Sequence, residues 1–348
     1  MSIVHTISSV WKNYKQLIIA LLLSVYSLPG LFFVTPNIWL DGSWIRALNM
    51  AINSHRVFGS DFVFTFGPLG FLCTRNIQYI NRLWLLAGDI FLFAGFFYFA
   101  YKYLSSQKVW VFIVLPAMFL FRAADYSQTL FLLFIIYTVL NFNNRAQNKF
   151  ELLYCGLAGG LLFFIKVNYG IVSLAGLLFV SVFLIRSDFR SFILFLTATI
   201  LFFCIIYFSV HIDLVSYVKY SLLLIKNYGE AMCYQLHAAQ SFFLFTVIFI
   251  AVFLAITAYT IVQAIKQREG LFNKLTQALL LCITCFLFYK NGYTRADYYH
   301  YELFYSIFPM FIVSAIFLYN YQHLVISKII AGIVTILSIL AVFFYKER

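Results

Sequence analysis

The stretch that decides the fold is "TPNIWLDGSWIRALNMAINSHRVFGSDFVFTFGPLGFL", residues 35–72, which follows the first long apolar run of the chain. It sets charged and histidine side chains among Trp, Phe, Gly and Pro, although the whole chain is 64% hydrophobic and only 10% charged. Soluble domains carry about 25% charged residues, so this composition excludes a soluble globule. The polar stretch therefore has to be explained as part of a membrane protein.

Apolar runs of roughly twenty residues recur along the chain, and this is the length that a helix needs to cross a bilayer. The short alternating segments of a membrane β-barrel are not seen in the sequence. We predict an all-α, polytopic helical membrane protein with about eleven transmembrane helices, forming a single transmembrane domain over residues 1–348. The predicted spans are 16–35, 83–104, 107–122, 127–142, 151–166, 168–186, 190–211, 241–265, 273–290, 301–320 and 324–345.

The positions of Lys and Arg along the chain predict how the spans are oriented in the membrane. Compact basic clusters such as Lys102 with Lys108 fall between spans, and the positive-inside rule places them on the inner side, together with the N-terminus. Two long outer segments result, a first outer loop at 36–82 and a second at 211–240. The net charge of +12 is then a topology signal that faces anionic membrane lipids, and no nucleic-acid partner is expected.

The first outer loop contains "LDGSWIRALNMAINSHR", which is typical of an amphipathic helix lying on the membrane surface. Asp41 stands at its start, where a carboxylate can cap the helix by accepting backbone N–H bonds. The same carboxylate could deprotonate a hydroxyl group or bind a cation, so both interpretations stay open. The predicted apolar face holds Trp44, Ala47, Leu48 and Ala51, with Arg46, Asn49 and Asn53 elsewhere on the helical wheel.

Asp61 is the second candidate catalytic residue, in the turn-rich segment "GSDFVFTFGPLGF". If the surface helix doubles back, Asp61 and Asp41 face one cleft; otherwise Asp61 is a solvated turn aspartate. Phe62, Phe64 and Phe66 alternate along this segment, and we expect them to anchor it in the membrane interface.

Two shorter outer turns add candidate substrate-binding residues. Lys166, in "FFIKVNYG", lies between two predicted spans, where its ammonium group either binds a phosphate or reaches to the membrane interface. Asp125, in "RAADYSQ", either contributes to the same cleft or forms a surface ion pair with Arg122.

The segment "YKNGYTRADYYHYE", residues 289–302, is the richest late loop. Lys290 and Arg295 are candidates for gripping a phosphate or pyrophosphate, since a guanidinium group offers a forked set of donors. Asp297 and His300 can share one helical face, which is a weak metal-binding signal.

With these residues in place, the chain resembles the GT-C superfamily of integral membrane glycosyltransferases. In that family the first outer loop folds into surface helices, and an acidic residue near its start acts as catalytic base or metal ligand; Asp41 in "WLDGSW" occupies that place. "GSDFVFTFGPLGFL" looks like the later part of the loop in bacterial members, and "KNGYTRADYYH" resembles a late outer loop. The chain departs from the family pattern in lacking an adjacent D-x-D or D-E pair. We also expect no C-terminal soluble domain, which many members of the family have.

The resemblance implies inverting transfer of a sugar from a polyprenyl-phosphate donor to a hydroxyl group of a glycan, lipid or protein acceptor. It implies that Asp41 is the base, and that the protein lies in the bacterial inner (cytoplasmic) membrane with its active site on the outer, periplasmic side. No cofactor is assigned, and a divalent cation on Asp41 stays open. The alternatives are a polysaccharide polymerase of the O-antigen type and a non-enzymatic flippase or transporter of lipid-linked sugars.

Overall fold

The computed structural model describes residues 2–29, 40–76, 78–106, 111–143, 148–231, 240–267 and 270–293, with a few positions between 325 and 336. These residues are mostly helical and contain three isolated β-bridges but no β-sheet. The helices are α1 (Ser2–Ser27), α2 (Leu40–Asn53), α3 (Phe71–Thr74), α4 (Arg82–Ser106), α5 (Val111–Ala123), α6 (Tyr126–Asn143), α7 (Lys149–Ile165), α8 (Val167–Ser187), α9 (Phe189–Ser209), α10 (Leu214–Ala231), α11 (Gln240–Gln267) and α12 (Leu271–Tyr293).

Four of the described helical segments are long and apolar enough to cross a membrane. They are Arg82–Leu104 in α4, Val167–Ser187 in α8, Phe189–Ser209 in α9 and Leu271–Asn291 in α12. Each coincides with a predicted span, and the protein is an all-α membrane protein. The count of about eleven spans stays a prediction.

Some helices differ from the predicted spans in their limits. The first predicted span, 16–35, corresponds to α1, but that helix begins at Ser2 and ends at Ser27. Hydropathy marks only the apolar part of a helix, whereas the backbone hydrogen-bond ladder continues through polar residues. The predicted span 301–320 lies outside the described residues, and so does most of 324–345.

Helix α7 packs against α6, α8 and α9 and is buried along almost its whole length. A helix that is apolar on all sides is covered either by other helices or by lipid, and α7 is covered by helices. Small residues let α8 come close: a Cβ atom on Gly170 would collide with the main chain of Phe163, and the Ser173 hydroxyl donates to the Gly159 carbonyl oxygen at 2.9 Å. This tight hairpin fixes the position of Lys166, the residue between α7 and α8.

Residues 54–81, which we call the capping loop, cover one end of the helix bundle, the loop end. The N–H of Gly67 donates to the Ile165 carbonyl oxygen at 3.0 Å, and the N–H of Leu69 donates to the Phe164 carbonyl oxygen at 2.9 Å. The last carbonyl groups of a helix have no partner within the helix, so the capping loop supplies partners for two of them at the end of α7.

The other end of the bundle, the basic end, is where α4 and α8 finish and where α7 begins. At the end of α4, the Lys102 ammonium group contacts Glu151 Oε1 at 2.7 Å. At the end of α8, the Arg186 guanidinium group lies 4.5 Å from the ring centre of Phe272 at the start of α12. These two basic side chains lie at the end opposite the capping loop.

Helix α2 covers the stretch that was expected to form the surface helix. The prediction of its faces was wrong at two positions, because Ala47 is exposed and Asn49 is fully buried. The Asn49 side-chain amide donates to the carbonyl oxygens of Asn76 and Gln78, both at 2.9 Å. Asn49 thus stabilises the capping loop, and a wheel drawn from polarity alone places it on the wrong face.

Candidate functional site

Lys166 lies at the loop end, between Ile165, the last residue of α7, and Val167, the first residue of α8. Its backbone is extended, with φ −153° and ψ 119°, and it forms an antiparallel bridge with Phe66 of the capping loop. The N–H of Val167 donates to the Thr65 carbonyl oxygen at 3.1 Å, beside this bridge. Main-chain bonds between two distant segments therefore hold Lys166 in place.

The Lys166 ammonium group lies over aromatic rings, 4.6 Å from the ring centre of Phe66 and 5.5 Å from that of Tyr169. Trp44 of α2 stacks on Phe66 with 5.2 Å between ring centres and 15° between planes. Among the described residues, no carboxylate is within ion-pair distance of this ammonium group. The cation is thus stabilised by ring faces and keeps its charge available to an anion.

The last turn of α12 reaches the same place. The Asn291 side-chain amide donates to the Tyr169 hydroxyl oxygen at 3.0 Å, and Tyr169 is fully buried. Lys290 is the neighbour of Asn291 in α12. Lys166 and Lys290 were each predicted to bind a phosphate, and the elements that carry them meet at Tyr169.

Asp125 has a structural role at the loop end. Its carboxylate accepts from the Gln128 N–H at 2.8 Å and from the Ser127 hydroxyl at 2.7 Å, while the Asp125 N–H donates to Gln128 Oε1 at 3.0 Å. This reciprocal pair is a capping box at the start of α6. The expected ion pair with Arg122 is not formed; the Arg122 guanidinium instead donates to the Leu28 carbonyl oxygen at 2.7 Å.

Cys73 of α3 lies near enough to Asp125 and Lys166 for the charges of both residues to act on the pKa of its thiol. Burial raises the pKa of its thiol well above the usual range, and the Asp125 carboxylate raises it further, whereas Ser127 and Lys166 lower it. A thiol with a raised pKa is protonated near neutral pH and is a poor nucleophile. Cys73 is therefore part of the wall of the site and not its reactive group.

The two predicted catalytic carboxylates are described to different extents. Asp61 is exposed, and its Oδ2 accepts from the Val57 N–H at 3.1 Å, as in the solvated-turn interpretation. Asp41 is the second residue of α2, which begins at Leu40, and its side chain is outside the described part of the chain. It precedes Trp44 by about one helical turn, so the start of α2 lies close to the aromatic rings below Lys166.

The remaining predicted binding residues, Arg295, Asp297 and His300, lie outside the described residues. Within the described residues, no three His, Cys, Asp or Glu side chains are grouped so that they could hold a metal ion.

Several residues at this site were not predicted to belong to it, namely Trp44, Phe66, Tyr169 and Asn291. The alternation of Phe62, Phe64 and Phe66 was seen, but these rings form a packed row, with 6.2 Å and 5.8 Å between neighbouring ring centres. Trp44 covers that row, and Lys166 lies at its Phe66 end. The expectation that these rings anchor the loop in lipid does not account for these contacts.

Comparison with known proteins does not assign this chain to a family: no family model, curated protein or solved structure matches it. The class of protein is therefore defined by the fold and the site alone, as an all-α membrane protein with a cationic, aromatic site at one end of its bundle.

Proposed function

We propose that this protein is a membrane glycosyltransferase that moves a sugar from a polyprenyl-phosphate donor to a hydroxyl acceptor. The observation that carries the proposal is the Lys166 ammonium group, held over Phe66 and Tyr169 next to the first turn of α2. A lipid-linked sugar presents a phosphate beside a sugar ring. Cationic donors bind the phosphate, and the partly exposed rings of Trp44 and Phe66 can offer aromatic surface to the apolar face of a sugar.

The finer topology is part of the proposal. We propose about eleven spans. The positive-inside rule would then place the N-terminus and the basic end on the inner side of the membrane. The capping loop and Lys166 would then face the outer, periplasmic side of a bacterial inner membrane. A lipid-linked donor reaches such a site from within the bilayer, and the reaction needs no nucleotide-binding domain.

The proposed reaction is a single displacement. The Asp41 carboxylate takes the proton of the acceptor hydroxyl, and the acceptor oxygen forms a bond to the anomeric carbon as the bond to the donor phosphate breaks. The configuration at that carbon inverts. The phosphate leaves as an anion, and Lys166, Lys290 and Arg295 would stabilise its developing charge. Asp297 and His300 would contribute to substrate binding, with any divalent cation held by Asp41.

Asp61 and Asp125 have secondary roles in this proposal. Both are engaged in local backbone bonds, Asp61 within its turn and Asp125 in the capping box. We infer that they shape the loop end, and that Asp41 alone takes the proton.

The decisive experiment is Asp41→Asn, assayed in membranes with polyprenyl phosphates carrying radiolabelled sugars. Asn has nearly the same size and shape as Asp, so this change keeps the volume of the side chain in the first turn of α2 and removes the base. We expect transfer to fall by about 10²–10⁴-fold, the usual contribution of a general base. Asp188→Asn is the matched control, because Asp188 caps α9 at the basic end, and it should keep full activity.

Full transfer by Asp41→Asn would refute the assignment of the base. If no lipid-linked sugar gives any transferred product with the unaltered protein, while the labelled lipid crosses vesicle membranes, the transporter alternative replaces the enzyme. A ladder of lengthening products would instead favour the polymerase.

A further inference from the structure

A second concave site lies at the loop end, between the end of α2, the start of α4 and the end of α9. It is an open cleft of about 320 Å³. Its floor is apolar and includes Phe58, Leu69 and Phe71. Its rim carries His55, Arg56 and His211.

The rim is built at a conformational cost. Helix α2 ends in a Schellman motif, in which the N–H of Arg56 donates to the Ala51 carbonyl oxygen and the N–H of His55 donates to that of Ile52. Glycine is usual at the left-handed position of this motif, but here it is His55, with φ 53°. Within the described residues three non-glycine residues have positive φ, and two of them, His55 and Tyr79, line this cleft. Left-handed backbone costs an ordinary residue about 1–2 kcal/mol, so this cleft is bordered by strained backbone at two positions.

The described residues of the rim carry positive charge and no negative charge. Arg56 is exposed and forms no ion pair with any described residue, and no Asp or Glu is among the described residues that line the cleft. The His55 and His211 rings lie edge to face, 5.1 Å apart. Each ring offers at least one N–H donor in either protonation state. One guanidinium group and two imidazole rings on the same rim offer several N–H donors to an anion with several oxygen atoms.

The surroundings of the cleft identify the source of that anion. The cleft lies where the spans in α4 and α9 reach the loop end, and large apolar side chains on these helices point outward. Leu83 is 69% exposed, Trp84 is 56% exposed and Phe208 is 82% exposed. Such side chains are covered by lipid in a membrane, and Trp is enriched at the level of the headgroups. An anion that carries apolar chains can therefore bind the rim with its charged group and contact the exposed side chains of α4 and α9 with its chains.

We propose that this cleft binds the phosphate headgroup of an anionic phospholipid, with Arg56, His55 and His211 as its donors. The acyl chains lie along the exposed apolar side chains of α4 and α9. This proposal does not rest on the transferase activity, because the cleft and its ligand are the same whether the Lys166 site transfers a sugar or not.

The test uses the full-length protein in detergent micelles, to which phosphatidylglycerol or phosphatidylcholine is added. Thermal unfolding reports binding, because a ligand that binds only the folded state raises the melting temperature. We expect phosphatidylglycerol to stabilise the protein more than phosphatidylcholine does. Arg56→Gln should weaken the apparent affinity for phosphatidylglycerol about tenfold or more, since one charge-assisted hydrogen bond is lost. Arg56→Lys should keep most of the response.

Arg46→Gln is the matched control. It removes the same charge from α2, the helix that precedes Arg56, at an exposed position that does not line the cleft, so its response should equal that of the unaltered protein. His211→Gln should weaken the response in the direction of Arg56→Gln. Arg56→Gln and His211→Gln both change exposed side chains, and the melting temperatures of these two variants without lipid report whether the fold is kept.

Three results would overturn the proposal. Equal losses in Arg56→Gln and Arg46→Gln would mean that general surface charge attracts the lipid. Equal stabilisation by the two lipids would show that the headgroup charge is not recognised. Equal stabilisation by inorganic phosphate alone would mean that the cleft binds a free anion and not a lipid.

Discussion

Replacing Asp89 with Asn is the sharpest way to weaken the attachment of the capping loop to the helix bundle. Arg75 follows α3 within that loop, and its guanidinium group donates two hydrogen bonds to the Asp89 carboxylate on α4, at 2.8 and 2.9 Å. The two side chains are only 7% and 17% exposed. The variant therefore leaves an almost fully buried guanidinium group without its counter-charge.

The expected cost follows from this geometry. Removal of one partner from a buried ion pair costs about 3–5 kcal/mol of unfolding free energy. We expect about 3 kcal/mol, at the lower end, because Asp89 is partly exposed and water can reach the vacated position. The Arg75 Nε atom is already buried without a hydrogen-bond partner, so the side chain has little capacity to compensate.

The assay is equilibrium unfolding in mixed micelles, with the free energy of unfolding compared between variants. Asp61→Asn is the control, since this exposed carboxylate of the same loop should cost less than about 1 kcal/mol. The double variant Arg75→Met with Asp89→Leu should recover most of the loss, because an apolar pair does not leave a buried charge. A cost below about 1 kcal/mol for Asp89→Asn, or a double variant no more stable than the single one, would refute this reasoning.

Two further predictions concern the loop end. Gly67→Ala should destabilise the protein by about 1–3 kcal/mol in the same assay, because the added Cβ atom would collide with the Phe164 carbonyl oxygen. Gly160→Ala is the control, because the nearest atom to a Cβ atom added at Gly160 is 3.7 Å away, and it should change the free energy of unfolding much less. Equal losses of unfolding free energy in the two variants would contradict the expected collision. Hydrogen bonds from Ser216 lower the pKa of Asp213, so its stabilising contribution is complete above its unfolded-state pKa of about 3.9 and is lost as the pH falls through its folded-state value. The melting temperature of Asp213→Asn should lack this loss of stability at acid pH. If the melting temperature of the variant depends on pH as that of the unaltered protein does, the predicted role of Asp213 is wrong.

The membrane class and several helices could be predicted because each depends on local pattern. The apolar runs of α4, α8, α9 and α12 are long enough to be recognised without a partner. Helix α2 was predictable as a helix because most of its apolar residues recur with helical spacing. These features need only a count of apolar residues along the chain.

The faces of α2 and the partners of Lys166 could not be predicted in the same way. Asn49 is buried because carbonyl groups 27 and 29 residues later accept its amide protons. Lys166 lies over Phe66, which is 100 positions earlier in the sequence, because main-chain bonds join the capping loop to the α7–α8 hairpin. Such contacts depend on the route of the backbone, and polarity at a single position does not report it.

The polar stretch after the first apolar run has a physical reason that applies whether or not the protein is an enzyme. Helix ends within or near a membrane leave carbonyl and N–H groups that lipid cannot satisfy. The capping loop supplies partners at two such places: Gly67 and Leu69 bond to the end of α7, and Phe58 exchanges bonds with His211 and Asp213 between α9 and α10. Because this backbone is tied down, the loop can hold Lys166 against aromatic rings on one side and form the His55–Arg56 rim on the other. The same main-chain bonds therefore stabilise the helix ends and position the charged groups of both sites.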